Sequence, residues 1–228
     1  MKRLLPAVVC AFSLAAGELS AVVVTGKVGF VTKRGQRPVV NETLVWLEPL
    51  GSPPSTRKPA SSPAALFQVI TRGKTLLPHV VAVPLDSTIA FPNEDPISHN
   101  LFSLSPGNAF DLGLYRKGSG KTKKFDAPGT VNVYCNVHPN MSAVVHVMPT
   151  PHYVFTGAGG EYSIDVPVGR YRLVAWNEQG GTAESTLQVN AGGFTGNSLL
   201  TIDSRNFRQQ GHMNKAGKPY QAPSSRDY

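Results

Sequence analysis

The chain has 228 residues, enough for one large or two small domains, and a formal net charge of +8. Its 22 glycines and 19 prolines, without a long helical or heptad pattern, argue against a helical protein and favour short strands joined by turns. The basic residues are not interleaved with aromatic ones, so we do not expect a nucleic-acid-binding protein.

Residues 1–21 are typical of a secretory signal peptide. Lys2 and Arg3 precede an apolar run from Leu4 to Ala16, and small residues follow up to Ala21. The apolar run is shorter than the about 20 residues that a membrane-spanning helix needs, which favours cleavage over a membrane anchor. No later segment predicts a membrane span, so we expect a periplasmic or secreted protein.

Residues 22–50 contain the first strand patterns. Two apolar runs, Val22–Val28 and Thr43–Leu47, flank a polar turn. Residues 51–65 are rich in Pro and Ser, a composition typical of an exposed linker. We therefore predict two strands followed by a linker.

Three potential metal ligands follow a strand in the middle of the chain. An alternating apolar run that ends at Cys135 indicates a strand half-buried on one face, and Pro139 ends it. The spacing Cys135-x-x-His138-x-x-Met141 places a thiol, an imidazole and a thioether within seven residues. Soft sulfur ligands favour Cu(I) and imidazole accepts both oxidation states, so this donor set predicts a copper site.

A blue-copper site needs a second imidazole from another strand. His99, in a segment that leads into an apolar strand, is the candidate. His79 and Glu94 are alternatives whose contribution the sequence leaves open. Met148 is a rival to Met141 as the thioether ligand, but a full strand separates it from the loop.

The cysteine count supports metal binding. Removal of the signal peptide leaves Cys135 as the only cysteine, so an internal disulfide is excluded. A free thiol in an oxidising compartment needs protection, which a bound metal would provide. The alternative is a buried, inert cysteine.

The middle of the chain resembles the cupredoxins, a family of small type 1 copper proteins that includes the plastocyanin/amicyanin-like domains. The resemblance covers roughly residues 66–148 and rests on four segments: Ile89–Asn93, His99-Asn100, Phe125–Thr130 and Tyr134–Met141. It implies one type 1 copper ion held by His99, Cys135, His138 and Met141.

The resemblance also implies a role for each of these residues. The Cys135 thiolate would form the strongest bond, and the two imidazoles would complete a plane. Met141 would be a weaker axial ligand, and His138 would be the ligand nearest the surface. Asn100, beside the first histidine, would tie the two ligand segments together, as ordered outer residues do at metal sites.

Residues 150–203 resemble a carboxypeptidase-regulatory-like, or transthyretin-like, β-sandwich. The matching motifs are Gly160-Glu161-Tyr162, Pro167-Val168-Gly169 and Tyr171-Arg172-Leu173. That family normally begins with a strand pair like the one in residues 22–50. We therefore expect an all-β chain, with a second small β-sandwich in two parts. A Greek-key cupredoxin sandwich or barrel, residues 66–149, would be inserted between these parts.

Residues 204–228 are polar and basic, which is typical of a flexible tail or an arm on the surface. We expect His212 and Met213 in this segment to be solvated.

A cluster of basic residues without acids between them bears on possible partners. It predicts either a solvated loop or a face that steers an acidic redox partner. The cluster comprises Arg116, Lys117, Lys121, Lys123 and Lys124.

These observations lead to a functional hypothesis. We expect an exported type 1 copper protein that transfers single electrons between redox partners. A copper storage or delivery protein, and a non-redox structural β-sandwich protein, are the alternatives. An enzyme is not expected, because multicopper oxidases and nitrite reductases need further histidine clusters, and the remaining histidines here are scattered.

Overall fold

The computed structural model describes residues 21–51, 67–208 and 211–220, so the expected signal peptide and the linker lie almost wholly outside the described residues. The described part is all-β, as predicted, with a single short 3-10 turn at Val40–Glu42. Its strands are β1 Val22–Val31, β2 Leu44–Pro49, β3 Phe67–Gln68, β4 Ile70–Arg72, β5 Thr75–Leu77, β6 Val80–Pro84, β7 Thr88–Asn93, β8 Leu101–Ser103, β9 Phe110–Asp111, β10 Gly118–Lys124, β11 Gly129–Cys135, β12 Ser142–Met148, β13 Tyr153–Phe155, β14 Glu161–Val166, β15 Gly169–Asn177, β16 Gly181–Asn190, β17 Gly193–Gly196 and β18 Leu199–Asp203.

Two five-stranded sheets are built from residues 67–148. One has the order β10-β7-β4-β5, with β3 also paired to β7, and the other has the order β6-β12-β11-β8-β9. Strand β11 follows the predicted alternation, because Val131, Val133 and Cys135 are buried while Asn132 between them is exposed. The inward side chains of both sheets form one buried cluster, which we call the first core and which includes Phe91, Leu101, Phe125, Cys135 and Met141.

The other two sheets combine strands from before and after residues 67–148, namely β1, β2 and β13 to β18. The first has the order β14-β1-β18 and the second has the order β13-β2-β15-β16-β17. Strand β1 thereby pairs antiparallel with β14 and parallel with β18, and β2 pairs antiparallel with β15. Their inward side chains form a separate buried cluster, the second core, which includes Val24, Leu47, Tyr162, Leu173 and Leu187.

Close backbone approach explains Gly26, one of the two glycines in β1. A Cβ atom placed on Gly26 would lie 2.2 Å from the carbonyl oxygen of Ser198 and 2.3 Å from the hydroxyl oxygen of Tyr162. No side chain fits at such distances. Gly26 therefore lets β1 pair closely with its neighbours, and Tyr162 donates a hydrogen bond to Ser198 O at 2.8 Å.

An aromatic seam lies between the two halves of the fold. His146, on the outer face of β12, is 5% exposed, and its ring centroid lies 4.1 Å from Trp176 and 6.5 Å from Trp46. Burial lowers the pKa of His146 to about 4. The imidazole at this seam is therefore neutral at ordinary pH.

No helix of the described residues is long and apolar enough to cross a membrane.

Candidate metal centre

Strand β11 and the loop after it bring the predicted Cys135, His138 and Met141 into one hairpin. Strands β11 and β12 pair antiparallel from Gly129↔Val147 to Tyr134↔Ser142, so the ligand loop is the connection between them. Cys135 N donates to Met141 O at 3.1 Å, and Met141 N donates to His138 O at 3.3 Å. The loop is thus closed on itself directly after the strand.

His99 reaches the same place from the neighbouring strand. Its backbone forms a bridge with Tyr115, and the next strand, β8, pairs Leu101 with Cys135. Because adjacent strands lie about 4.8 Å apart, this register sets His99 beside the end of β11. The predicted second imidazole is therefore delivered by a separate strand.

The three side chains converge on one point. Nδ1 of His99 and Nδ1 of His138 each lie 3.7 Å from Cys135 Sγ. The three donor atoms all lie within 4.8 Å of one another, and no other such group of three His, Cys, Asp or Glu residues occurs in the described ranges. His99 and Cys135 are fully buried, whereas His138 is half-buried.

These separations fit a shared metal ion. Metal–nitrogen bonds are about 2.1 Å long and metal–sulfur bonds about 2.3 Å, so a nitrogen and a sulfur that lie 3.7 Å apart could both bind one ion. The donor set of one thiol and two imidazoles is the one that blue-copper sites use.

Met141 occupies the far end of the ligand loop. It is 1% exposed and packs in the first core together with Cys135. Its backbone is hydrogen-bonded to both of the loop's other candidate ligands, Cys135 and His138. The thioether is therefore held within the same closed loop, in an apolar environment.

A buried carboxylate orients His99. Nε2 of His99 lies 2.9 Å from Oδ2 of Asp95, and Asp95 in turn accepts hydrogen bonds from Gly73 N at 2.6 Å and Lys74 N at 2.9 Å. An ionised carboxylate can only accept, so Nε2 carries the proton and Nδ1 keeps its lone pair directed at Cys135. This leaves His99 in the tautomer that can bind a metal through Nδ1.

The electrostatics agree with that assignment. Burial acts to raise the pKa of Asp95, but hydrogen bonds from Lys74 and Gly73, and then from His99, outweigh it and lower the pKa. For His138, burial and then the proximity of His99 and Lys74 lower the pKa. A neutral His138 is the form that ligates metals.

Asn100 connects the two ligand segments mainly through its backbone. Its carbonyl oxygen accepts a hydrogen bond from Asn136 N at 2.8 Å. Its side-chain amide donates to Asp111 Oδ1 at 2.5 Å. The sequence pointed to Asn100, but it did not predict the contact of Asp95 with His99. No sequence pattern marks this contact, because residues 95–97 form a bend and not a helix, in which a four-residue spacing would bring side chains together.

The alternative candidate ligands, His79 and Glu94, make other contacts. His79 contacts Glu178 through Nε2 at 2.6 Å and Ser142 O through Nδ1 at 3.1 Å. Glu94 is exposed and accepts from Arg72 at 2.5 Å. Neither belongs to the group of converging donors.

The basic cluster lies on and just before the edge strand β10. Lys124 forms an ion pair with Asp86 at 2.7 Å, and Lys121 donates to Leu112 O at 2.5 Å. Lysines on an exposed edge strand also discourage pairing with another chain. The cluster is thus compatible with either of its two interpretations.

No family model and no curated protein matches this sequence. Several solved structures of copper proteins are similar to part of the chain. An oxidised amicyanin variant is 19% identical over 36% of this chain and 82% of its own, with a TM-score of 0.34. A purple cupredoxin from Nitrosopumilus maritimus is 22% identical over 36% of this chain and 99% of its own, with a TM-score of 0.32. A copper-containing nitrite reductase from Thermus scotoductus is 21% identical over 40% of this chain and 25% of its own, with a TM-score of 0.36.

Proposed function

We propose that this protein is an exported type 1 copper protein that transfers single electrons between redox partners. The observation that carries the proposal is the convergence of the donor atoms of His99, Cys135 and His138 at one end of the first core. One thiol and two imidazoles in a largely buried site suit copper in both of its common oxidation states.

Four residues would hold the ion. Cys135 would bind as the thiolate, His99 and His138 through their Nδ1 atoms, and Met141 as the weaker thioether ligand. Zinc also accepts thiolate and imidazole, but it gains little from a thioether. The buried Met141 beside the cluster therefore favours copper over zinc.

When bound, copper supplies a one-electron redox couple. The chain would keep the donors fixed in both oxidation states, because Cys135 ends a paired strand and Asp95 orients His99 through a hydrogen bond. A site that does not rearrange lowers the barrier to electron transfer. His138, the half-exposed ligand, would be the point where electrons enter or leave.

We also propose how the chain is organised. A copper domain, residues 66–149, would be inserted into a discontinuous second sandwich formed by residues 22–50 and 150–203. The separate first and second cores and the pairing of β2 with β15 support this division. The second sandwich would serve as a scaffold or docking module in the periplasm or outside the cell.

No catalytic role is proposed. Each of the three histidines outside the cluster in residues 67–208 already has a contact of its own: His79 with Glu178, His146 with Thr130 and His152 with Asp165 O. An acidic protein is the proposed redox partner, because the exposed side of β10 is basic.

The deciding experiment is Cu(II) addition to the apoprotein. We expect an intense sulfur-to-copper absorption band in the wild type and its loss in Cys135→Ser. Asn132→Ser, an exposed change in the same strand, is the matched control and should keep the band.

A colourless wild-type protein would refute the copper assignment. The second measurement is voltammetry, in which a reversible one-electron response distinguishes an electron carrier from a storage or delivery protein. Tight copper binding without that response would favour the storage alternative.

A further inference from the structure

A C-terminal segment lies across the end of strand β11. Residues 211–220, which we call the strap, contact the ligand segments at several points instead of extending into solvent. Sequence reasoning anticipated a flexible tail or a surface arm, with His212 and Met213 solvated. Met213 is indeed exposed, but His212 is packed against Tyr134.

The first contact is to a candidate ligand itself. The hydroxyl group of Tyr220 donates a hydrogen bond to the backbone carbonyl of Cys135 at 2.6 Å. That carbonyl belongs to the last residue of β11, where the strand turns into the ligand loop. Tyr220 thus restrains the backbone at the point that sets the direction of the Cys135 side chain.

The second contact reaches both ligand segments through polar groups. Lys215 N donates to Asn136 Oδ1 at 3.0 Å, and Lys215 Nζ pairs with Asp111 Oδ2 at 2.6 Å. The other oxygen of Asp111 accepts from the side chain of Asn100. One lysine of the strap therefore connects to the residues that directly follow both Cys135 and His99.

The third contact is aromatic. The His212 ring stacks on Tyr134 with centroids 4.3 Å apart and meets Tyr220 edge-on at 5.3 Å. The Tyr220 hydroxyl also lies 3.2 Å from His212 Nδ1. Aromatic contacts of this kind stabilise by more than their buried area alone, so the strap is anchored on the strand that carries Cys135.

We propose that the strap is part of the metal site, and that Tyr220 and Lys215 are positioning residues that hold Cys135 and the Asn100–Asn136 link in place for copper. The role of the strap in copper binding rests on the proposed function. Its role in restraining the ligand loop does not, because the contacts join groups of the chain itself. The two can therefore be tested separately.

The metal-independent test measures the reactivity of the Cys135 thiol in the full-length apoprotein. We expect Tyr220→Phe and Lys215→Ala to speed alkylation of Cys135 by about 2- to 10-fold, the change that follows from losing one hydrogen bond or exposed ion pair. Peptide mapping assigns the label, because the sequence also contains Cys10.

Matched controls lie away from the metal site. Tyr171→Phe also removes a tyrosine hydroxyl that donates to a backbone carbonyl, that of Pro167 at 2.9 Å. Lys27→Ala on β1 also removes an exposed lysine ion pair, that with Glu161 at 2.8 Å. Both should leave the alkylation rate of Cys135 unchanged.

The metal-dependent test measures Cu(I) affinity by competition with a chelator, together with the visible spectrum of the Cu(II) form. Loss of an outer partner typically weakens metal binding by about 10- to 100-fold, so Tyr220→Phe should fall near the lower value and shift the sulfur-to-copper band. A change in global stability alone would not move the position of that band.

The outcomes separate the two proposals. Faster alkylation in the strap variants, with a wild type that binds no copper, would refute the proposed function and keep the strap as a restraint on the loop. Unchanged alkylation, affinity and spectrum in both strap variants would overturn the strap proposal, whether or not the wild type binds copper.

Discussion

The buried polar groups beside the two cores differ in kind. Beside the second core, Asn177 donates to Thr43 Oγ1 and to Val39 O, both at 3.0 Å, and Thr156 donates to Val40 O at 2.7 Å. These are neutral groups that satisfy one another and the backbone. At one end of the first core, a thiol and two imidazoles direct their donor atoms at a common point.

This difference separates scaffold from site. Buried polar groups cost free energy unless they are paired, and a network of neutral partners meets that requirement internally. Donor atoms of three ionisable side chains that face one another gain most from a cation between them. The comparison predicts that changes in the second core affect stability alone, whereas changes near the cluster affect metal binding.

The largest expected effect is in the second core. Leu173→Ala removes a fully buried side chain and should destabilise the protein by about 2–5 kcal/mol, since it leaves a cavity. Urea unfolding followed by fluorescence measures the loss. Leu199→Ala, at a position 64% exposed, is the control and should cost far less. If Leu173→Ala also removed copper binding under folding conditions, the separation of scaffold and site would be wrong.

The seam between the cores should make stability depend on pH. The pKa of His146 falls from 6.5 to about 4 on folding, because burial opposes its charged form. The unfolded chain then binds more protons than the folded one between these values. Stability from this group is therefore fully present above pH 6.5 and is lost as the pH falls towards 4, by up to about 3 kcal/mol.

His146→Leu tests this assignment. The variant should lose much of the decline in apoprotein stability between pH 6.5 and pH 4, as measured by urea unfolding at a series of pH values. His152→Leu, whose Nδ1 contacts Asp165 O, is the matched histidine control and should keep the decline. Identical pH profiles for wild type and His146→Leu would contradict the prediction.

Near the cluster, Asp95→Asn should act on metal binding. Asparagine keeps the size of the side chain but removes the negative charge that orients His99 and leaves fewer acceptors for Gly73 N and Lys74 N. We expect copper affinity to fall by about 10- to 100-fold, as for other outer partners of histidine ligands. Competition with a chelator measures it.

The control for Asp95→Asn comes from the scaffold. Asp165→Asn changes an exposed carboxylate on β14 and should leave copper affinity unaltered. Equal affinities for Asp95→Asn and wild type would show that Asp95 does not orient His99 for copper.

The sequence indicated Cys135, His138 and Met141 as candidate ligands, because all three lie within seven residues at the end of one alternating strand. His99 could be placed because blue copper requires a second imidazole. The structure brings His99, Cys135 and His138 together and sets Met141 in the same loop. Asp95 and the strap were harder to anticipate, since their contacts depend on register and on single hydrogen bonds that leave no periodic pattern.

The sequence also did not predict which strand pairs with which. Parallel pairs such as β1 with β18 and β6 with β12 join segments that lie far apart in the chain. Two-residue strands such as β3 and β9 exist only because a neighbour pairs with them. Patterns of apolar residues report which face of a strand is buried, but they do not report its partner.

The smallest expected effect concerns a contact between the two halves of the fold. His79 precedes β6 and contacts Glu178, which follows β15. The hydrogen bond to Glu178 raises the pKa of His79, although burial acts to lower it. Stability from this pair is therefore present below the ordinary histidine pKa of about 6.5 and is lost as the pH rises through the raised value. Because Glu178 is 40% exposed, solvent screening limits the contribution to about 0.5 kcal/mol.

Glu178→Gln isolates this contact. The pKa of His79, followed by NMR titration, should fall, and the small loss of stability with rising pH should disappear. Glu184→Gln, on the exposed face of β16, is the control and should leave the pKa of His79 unchanged. An unchanged pKa in Glu178→Gln would mean that the two halves do not meet through this pair in solution. The aromatic seam around His146 and Trp176 would then hold the two halves of the fold together without the His79–Glu178 pair.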